Sequence, residues 1–448
     1  MRRTLITILS LFVVSVVYCQ DQTRSFTLQE AIDYALEHNR TAKNAARDIE
    51  AAEQQKWETT ATGLPQINAN IEYQNWIKQQ VSLLPAEFFG GNPGEFAEVA
   101  FGTKQTMNAT VTLDQKIFDG SYLVGLQSAK VFLEISKNAK EKTDLEVRKT
   151  VINAYGNVLL AEESIKILER NIDVLEKNLD ETTKIYENGL EEEESVEQLQ
   201  ITLSGLSSSL NNASRLKVLA YQMLNISLGT DLNTNTILTD NLETLTTQNI
   251  VLSLLDADEA VENTIDYKIA SNDKVSKELL LKLEKSKALP TLNAFVNGAY
   301  SGNANSFDFS KKDQQWFGSS LFGVSMHIPL FSSGERSAAT QRAKINLEKA
   351  QDDLTETEQN LKFQITSAKS DYQFSIEEYD NKRKNLNLSE RIEQKNQTKF
   401  FEGIASSFEL RQAQTQLYSA QQEFLQAMLD VINKKATLET VLNQTSIN

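Results

Sequence analysis

"IYENGLEEEESVEQLQITL" (Ile185–Leu203) and "FFEGIASSFELRQAQTQL" (Phe400–Leu417) align without a gap once Gly403 is set on Gly189. In each, an aromatic residue comes shortly before a glycine. A small or acidic stretch follows, and apolar residues then return at helical spacing. Glycine reaches positive φ without a Cβ clash, so both segments read as a sharp helix-to-helix reversal. One chain builds the same turn twice, half a chain apart.

The duplication extends outward from these turns. "GLPQINANIEY" (Gly63–Tyr73) matches "ALPTLNAFVNGAY" (Ala288–Tyr300), each with Leu-Pro before an alternating run. "QKIFDG" (Gln115–Gly120) matches "HIPLFSSG" (His327–Gly334), each opening a long helical segment. The order is helix, strand, strand, long helix, turn, helix, and then the same again. Residues 1–19 read as a signal peptide, 20–228 as the first repeat, 229–256 as a Thr- and Asn-rich equatorial linker, and 257–448 as the second repeat.

Four segments alternate. Ile67, Ala69, Ile71 and Tyr73 are apolar against Asn68, Asn70 and Glu72. Met107, Ala109, Val111 and Leu113 alternate with threonine and asparagine. Leu292, Ala294 and Val296 form the third run, which Phe295 interrupts, and Phe322, Val324, Met326 and Ile328 the fourth. Each is about ten residues, the length a tilted strand needs to cross a bilayer. The helices carry apolar seams at 3-4 spacing: Leu168, Ile172, Leu175, Leu179; Leu199, Leu203, Leu206, Leu210, Ala213; and Leu410, Ala413, Leu417, Ala420, Phe424, Ala427, Val431. A helix from Asp119 to about Glu187 would run roughly 100 Å at about 1.5 Å per residue. Such a helix is a projecting rod or the wall of a tube. Four strands cannot close a barrel in lipid, which takes about eight or more. The chain must therefore share its strands; three copies would supply twelve, though the strand count alone does not choose three over two or four.

The composition excludes other classes. "MRRTLITILSLFVVSVVYCQ" has a basic start and an apolar core too short to span a membrane. It predicts export, with either an ordinary cut before Gln20 or a lipid anchor on Cys19; the bulky Tyr18 disfavours the anchor. Cys19 is the one cysteine of the chain, so an ordinary cut leaves no thiol chemistry. A net charge of −16 argues against nucleic acid and anionic lipid surfaces as partners. Two histidines, His38 and His327, lie far apart, and no triad, metal-ligand spacing or phosphate loop is visible. The sequence predicts no enzyme and no cofactor. His327 has the parity of the polar strand face and reads as a channel-lining residue.

With these features in place, the sequence resembles the TolC-like outer membrane efflux protein family. "SFTLQEAIDYALEHN" looks like the family's first helix, with Thr27-x-x-Glu30 as a capping box. The Leu-Pro before strands one and three, the Phe and Gly after strands two and four, and "GIASSFELRQAQ" also match, over about Ser25 to Asn443. The resemblance implies a fold of mixed α and β, mostly α. A homotrimer would form a twelve-stranded outer membrane β-barrel, continued by a periplasmic α-helical coiled-coil barrel. It implies an exit duct for small molecules or secreted proteins, embedded in outer membrane lipid of a Gram-negative cell. The implied partners are a periplasmic adaptor and an inner membrane transporter of the resistance-nodulation-division or ABC type. By the same resemblance Gly189, Leu190, Gly403, Ile404, Ser406 and Ser407 would meet the adaptor. Glu409, Gln412 and Ser195 would line the aperture.

The chain departs from the aperture lock of one well-known member of that family. A polar lock of Tyr, Arg and Asp is replaced by Phe400, Ala405 and Ser195. Glu191 to Glu194 lie past the first turn instead; they read either as a solvated charge run or as carboxylates that tune opening. Val81–Thr103 is expected outside the cell as a constriction or lid. Trp76 and Trp316 are expected at the outer interface, and Trp57 packed on a helix. The rival reading is a periplasmic coiled-coil scaffold or adaptor without a pore; two hairpins and amphipathic strands argue against it.

Overall fold

A computed structural model describes residues 24–257 and 260–444. The predicted signal peptide, residues 1–19, lies outside the described residues. The chain divides into two compact units, each drawn from both halves of the sequence. One holds the described parts of 1–50, 135–271 and 352–448; the other holds 51–134 and 272–351.

The second unit contains a four-stranded antiparallel sheet of β2 (Gln66–Asn75), β5 (Gln105–Phe118), β7 (Thr291–Ala304) and β8 (Trp316–His327), in that order. Its register sorts the side chains into two faces, because directly paired residues share a side. Rows such as Ile67–Leu113–Val296–Phe322 and Ile71–Ala109–Tyr300–Gly318 make one face apolar. The row Asn68–Thr112–Asn297–Leu321 belongs to the other, where Asn297 donates to the Thr112 hydroxyl (2.9 Å) and Ser301 to Asn108 (2.7 Å). His327 pairs with Thr291 on this polar face. The large side chains of the apolar face are uncovered: Ile71 is 75% and Phe322 71% exposed. Neither β2 nor β8 has a second partner among the described residues.

The segment between β2 and β5 is not a bare loop. It folds as a hairpin of β3 (Val81–Pro85) and β4 (Phe96–Ala100), with a 3-10 turn over Ala86–Phe89. At the end of the sheet where β7 turns into β8, Phe307 and Phe309 set their edges against Tyr73, and Phe309 also meets Trp316. Trp57 lies on α2 (Arg40–Ala61) as expected, but it is 61% exposed rather than packed, because the helix presents it on its polar face.

The first unit is built on four long helices. These are α3 (Gly120–Glu187), α4 (Glu193–Leu228), α7 (Glu335–Phe401) and α8 (Ser407–Leu442); α3 and α7 begin in the other unit. Their lengths match in pairs, 68 with 67 residues and 36 with 36. Leu168, Leu175, Leu199, Leu206 and Ala213 bury into one cluster, the seam expected between α3 and α4.

The stretch read as a linker is ordered. β6 (Thr236–Leu238) pairs in parallel with β1 (Arg24–Phe26), and α5 (Leu242–Gln248) buries Leu242 and Leu245. Two fully buried tyrosines clamp this belt. The Tyr155 hydroxyl on α3 lies 2.8 Å from Asp240 Oδ2 and 3.0 Å from the Phe26 carbonyl. Asp240 in turn accepts from the Leu28 N–H that opens α1 (Leu28–His38). Tyr372 on α7 donates to the Asn249 carbonyl (2.5 Å) and accepts from the Val251 N–H (2.9 Å). The capping box of Thr27 and Glu30 forms as predicted.

Candidate functional site at the two hairpin turns

Gly189 and Gly403 sit at φ of 75° and 73°. Both turns close with the same pair of hydrogen bonds. Gly189 N–H donates to Tyr186 and Leu190 N–H to Ile185; Gly403 N–H donates to Phe400 and Ile404 N–H to Lys399. These are Schellman caps, which satisfy the last carbonyls of α3 and α7 and demand a left-handed residue at the glycine. The next residue of each turn is then thrown outward. Leu190 is 78% and Ile404 71% exposed, so each turn presents an uncovered apolar side chain.

The helices leaving the turns start differently. Ser406 and Glu409 form a reciprocal capping box: the Ser406 side chain accepts from the Glu409 N–H (3.3 Å), and Glu409 Oε2 accepts from the Ser406 N–H (2.9 Å). The Ser406 N–H, and then its hydroxyl, hold the Glu409 carboxyl below its usual range. At the first turn Glu192 makes no side-chain cap. Glu193 and Glu194 occupy the first turn of α4, where the helix dipole favours carboxylates.

Ser195, expected at an aperture, is buried. It donates to Glu191 Oε1 (2.6 Å) and shares a 2.9 Å hydrogen bond with the Ser407 hydroxyl, so the two turns touch. Glu409 and Gln412 stand exposed near the start of α8, as does Ser406. Sequence reasoning missed a set of buried polar groups behind the turns. Asn178 accepts from Gln397 (3.0 Å), and Asn171 donates to Gln421 (2.7 Å). Gln414 is 1% exposed with neither amide atom hydrogen-bonded. Burial raises the half-buried Glu393 carboxyl, opposed weakly by the nearby Gln414 amide, and lifts the Tyr418 hydroxyl to about 12. The available signal was polar residues at positions where the helical period demands apolar ones.

No described group of His, Cys, Asp or Glu fits a metal ion, and no described helix is long and apolar enough to cross a membrane. The model of the outer membrane efflux protein family matches residues 31–230 and 280–444. The chain belongs to this family. It is an outer membrane exit channel, and its family works within tripartite efflux systems. The family is one of channels, not enzymes. The family protein also superimposes on solved structures. CusC, from a study of conformational change during folding and channel formation, matches with a TM-score of 0.75 and 17% identity, over 93% of this chain and 92% of that one. VceC of Vibrio cholerae gives 0.72 and 14%, over 93% and 96%. MtrE of Neisseria gonorrhoeae, in its open state, gives 0.70 and 18%, over 93% and 89%. At these identities the likeness carries the fold. No curated protein matches the chain.

Proposed function

We propose that three copies close one barrel and one helical duct, through which efflux cargo leaves the cell. The observation that carries this reading is the sheet. Its outer strands, β2 and β8, present open hydrogen-bonding edges, and its large apolar side chains are uncovered. An open edge is not stable in hydrocarbon, so neighbouring copies must pair β8 with β2. That seam is antiparallel, because β2 and β8 run oppositely in a four-stranded antiparallel sheet. Three copies give the twelve-stranded barrel that the family resemblance implies. The matched lengths of α3 with α7 and α4 with α8 support two structural repeats, 20–228 and 257–448, joined at 229–256.

In this reading the exposed Leu190 and Ile404, with Gly189, Gly403, Ser406 and Ser407, dock a periplasmic adaptor. An inner membrane transporter of the resistance-nodulation-division or ABC type supplies the energy. Glu409, with Gln412 beside it, forms a ring in the trimer, while buried Ser195 ties the two turns of one copy together. Outer membrane lipid covers the apolar face. No nucleic acid, cofactor or catalytic step enters.

Light scattering on the mature chain in mild detergent tests the assembly. A protein mass of three copies is expected; a monomer in every detergent would overturn the barrel. In planar bilayers Glu409→Gln is expected to weaken cation preference and block by divalent ions. Unchanged recordings would remove the Glu409 ring from the gate.

A further inference from the structure

The polar face of the sheet carries apolar groups that nothing in the sheet covers. Phe317 and Leu321 on β8 are 58% and 53% exposed, yet they share that face with Ser301 and Asn297, their direct partners on β7. Those partners are hydrogen-bonded to β5 and offer no apolar contact. Phe295 on β7 has the same parity. Its ring lies over Gly323, where an added Cβ would sit 2.5 Å away. A glycine is needed there for the ring to lie across the strand. Phe317, Leu321 and the Phe295 ring over Gly323 thus follow β8 for six residues, about 20 Å at about 3.4 Å per residue.

A seam with a neighbouring copy would not hide this track. The polar-face residues of β2 are Asn68, Asn70, Glu72 and Gln74, all hydrophilic. Carboxylates stand in the same cross-strand rows as the two rings. Asp114 is directly opposite Phe295, and Glu72 shares the row Glu72–Asn108–Ser301–Phe317. The base of this face, Lys116, is committed to Asp119 (3.8 Å) and lies over the Tyr122 ring.

We propose that Phe317, Leu321 and Phe295, with Asp114, form a track in the barrel lumen for amphipathic organic cations. Apolar groups slide along the side chains while Asp114, directly opposite Phe295, holds the positive charge. An apolar patch in contact with water retains such solutes by burying their apolar surface, and desolvated cations gain further from aromatic faces. This inference rests on the three-copy barrel, whose lumen the polar face would line.

The test uses the full mature chain in planar bilayers, with decyltrimethylammonium added at the outer mouth. The wild-type channel is expected to be blocked reversibly, while tetramethylammonium and decanoate block little. Phe317→Asn combined with Leu321→Asn should weaken the decyltrimethylammonium block at least tenfold, and Asp114→Asn several-fold. Trimer mass by light scattering checks that each variant assembles. Equal block of wild type and the double variant would overturn the track, as would equal block by decanoate. A monomeric mass, or bilayers without conductance, would instead overturn the barrel reading beneath it.

Discussion

The two hairpins share a turn and differ in their cores. Both close on a left-handed glycine with the same two hydrogen bonds, and their helices match in length. Behind the first turn, α3 and α4 meet through leucines: Leu168, Leu175, Leu199 and Leu206 are all buried. Behind the second, α7 buries little between Tyr379 and Phe400 except Ser389, and α8 turns Gln414 and Gln421 inward. The bonds that join the hairpins are polar side-chain pairs: Asn171–Gln421, Asn178–Gln397 and Ser195–Ser407. A leucine seam gains from burial whatever its exact registry. A polar layer is favourable only when each group finds its partner, and Gln414 has no well-aligned hydrogen bond, only the half-buried Glu393 carboxyl beside it. The first hairpin is thus sealed by a leucine seam, while the second buries Phe400, Leu410 and Ala413 near its turn and meets the first through polar pairings that a small shift would break.

Substitutions can break or sharpen this contrast. The largest effect is expected from Leu175→Ala, which removes a side chain with no solvent exposure from the leucine seam. It should cost about 2–5 kcal/mol, read as a fall in thermal stability of the detergent-solubilised protein. A loss much smaller than this would mean that the first hairpin is no better packed than the second. Next come Gly189→Ala and Gly403→Ala. Nothing lies within 4 Å of an added Cβ at either glycine, so strain at positive φ acts alone and should cost about 1–2 kcal/mol. The two losses should be equal; unequal ones would show that the turns differ in more than their cores.

Gln414→Leu should be neutral or stabilising by up to about 1 kcal/mol, since it removes buried amide atoms that make no well-aligned hydrogen bond. Destabilisation would mean that the amide supports the half-buried Glu393 carboxyl beside it. The smallest effect concerns pH. The Glu409 carboxyl is held low by Ser406, so the box contributes at neutral pH and is lost as pH falls through that lowered value. Amide protection in the first turn of α8 should drop on acidification and lose this dependence in Glu409→Gln. The first turn of α4 has no such box and should lack that component.

Much of the architecture was legible in the sequence. Alternation placed β2, β5, β7 and β8, and the Phe–Gly junctions placed the starts of α3 and α7. These signals are local: a period of two or 3.6 residues and a residue that tolerates positive φ. Phe295 looked like an error in the third strand, and its reason appears only across the strand pair, where Gly323 lies beneath it. The belt from Thr236 to Val251 read as a linker because threonine and asparagine dominate it. Its order comes from Tyr155 and Tyr372, which lie more than 80 residues away in the chain. Glu409 was legible as a carboxylate near a turn, but its engagement with the Ser406 N–H depends on cap geometry.

The sequence by itself determined the four long strands and four long helices, their order, the two glycine reversals and the apolar parity of the strands, because each follows from backbone preference and spacing along the chain. The tertiary structure decided which polar groups meet, Ser195 with Ser407, Asn171 with Gln421 and Tyr155 with Asp240, and that Asp114 stands opposite Phe295. Hydrogen bonds and cross-strand rows depend on ångström-scale register between distant segments, which no local pattern in the chain specifies.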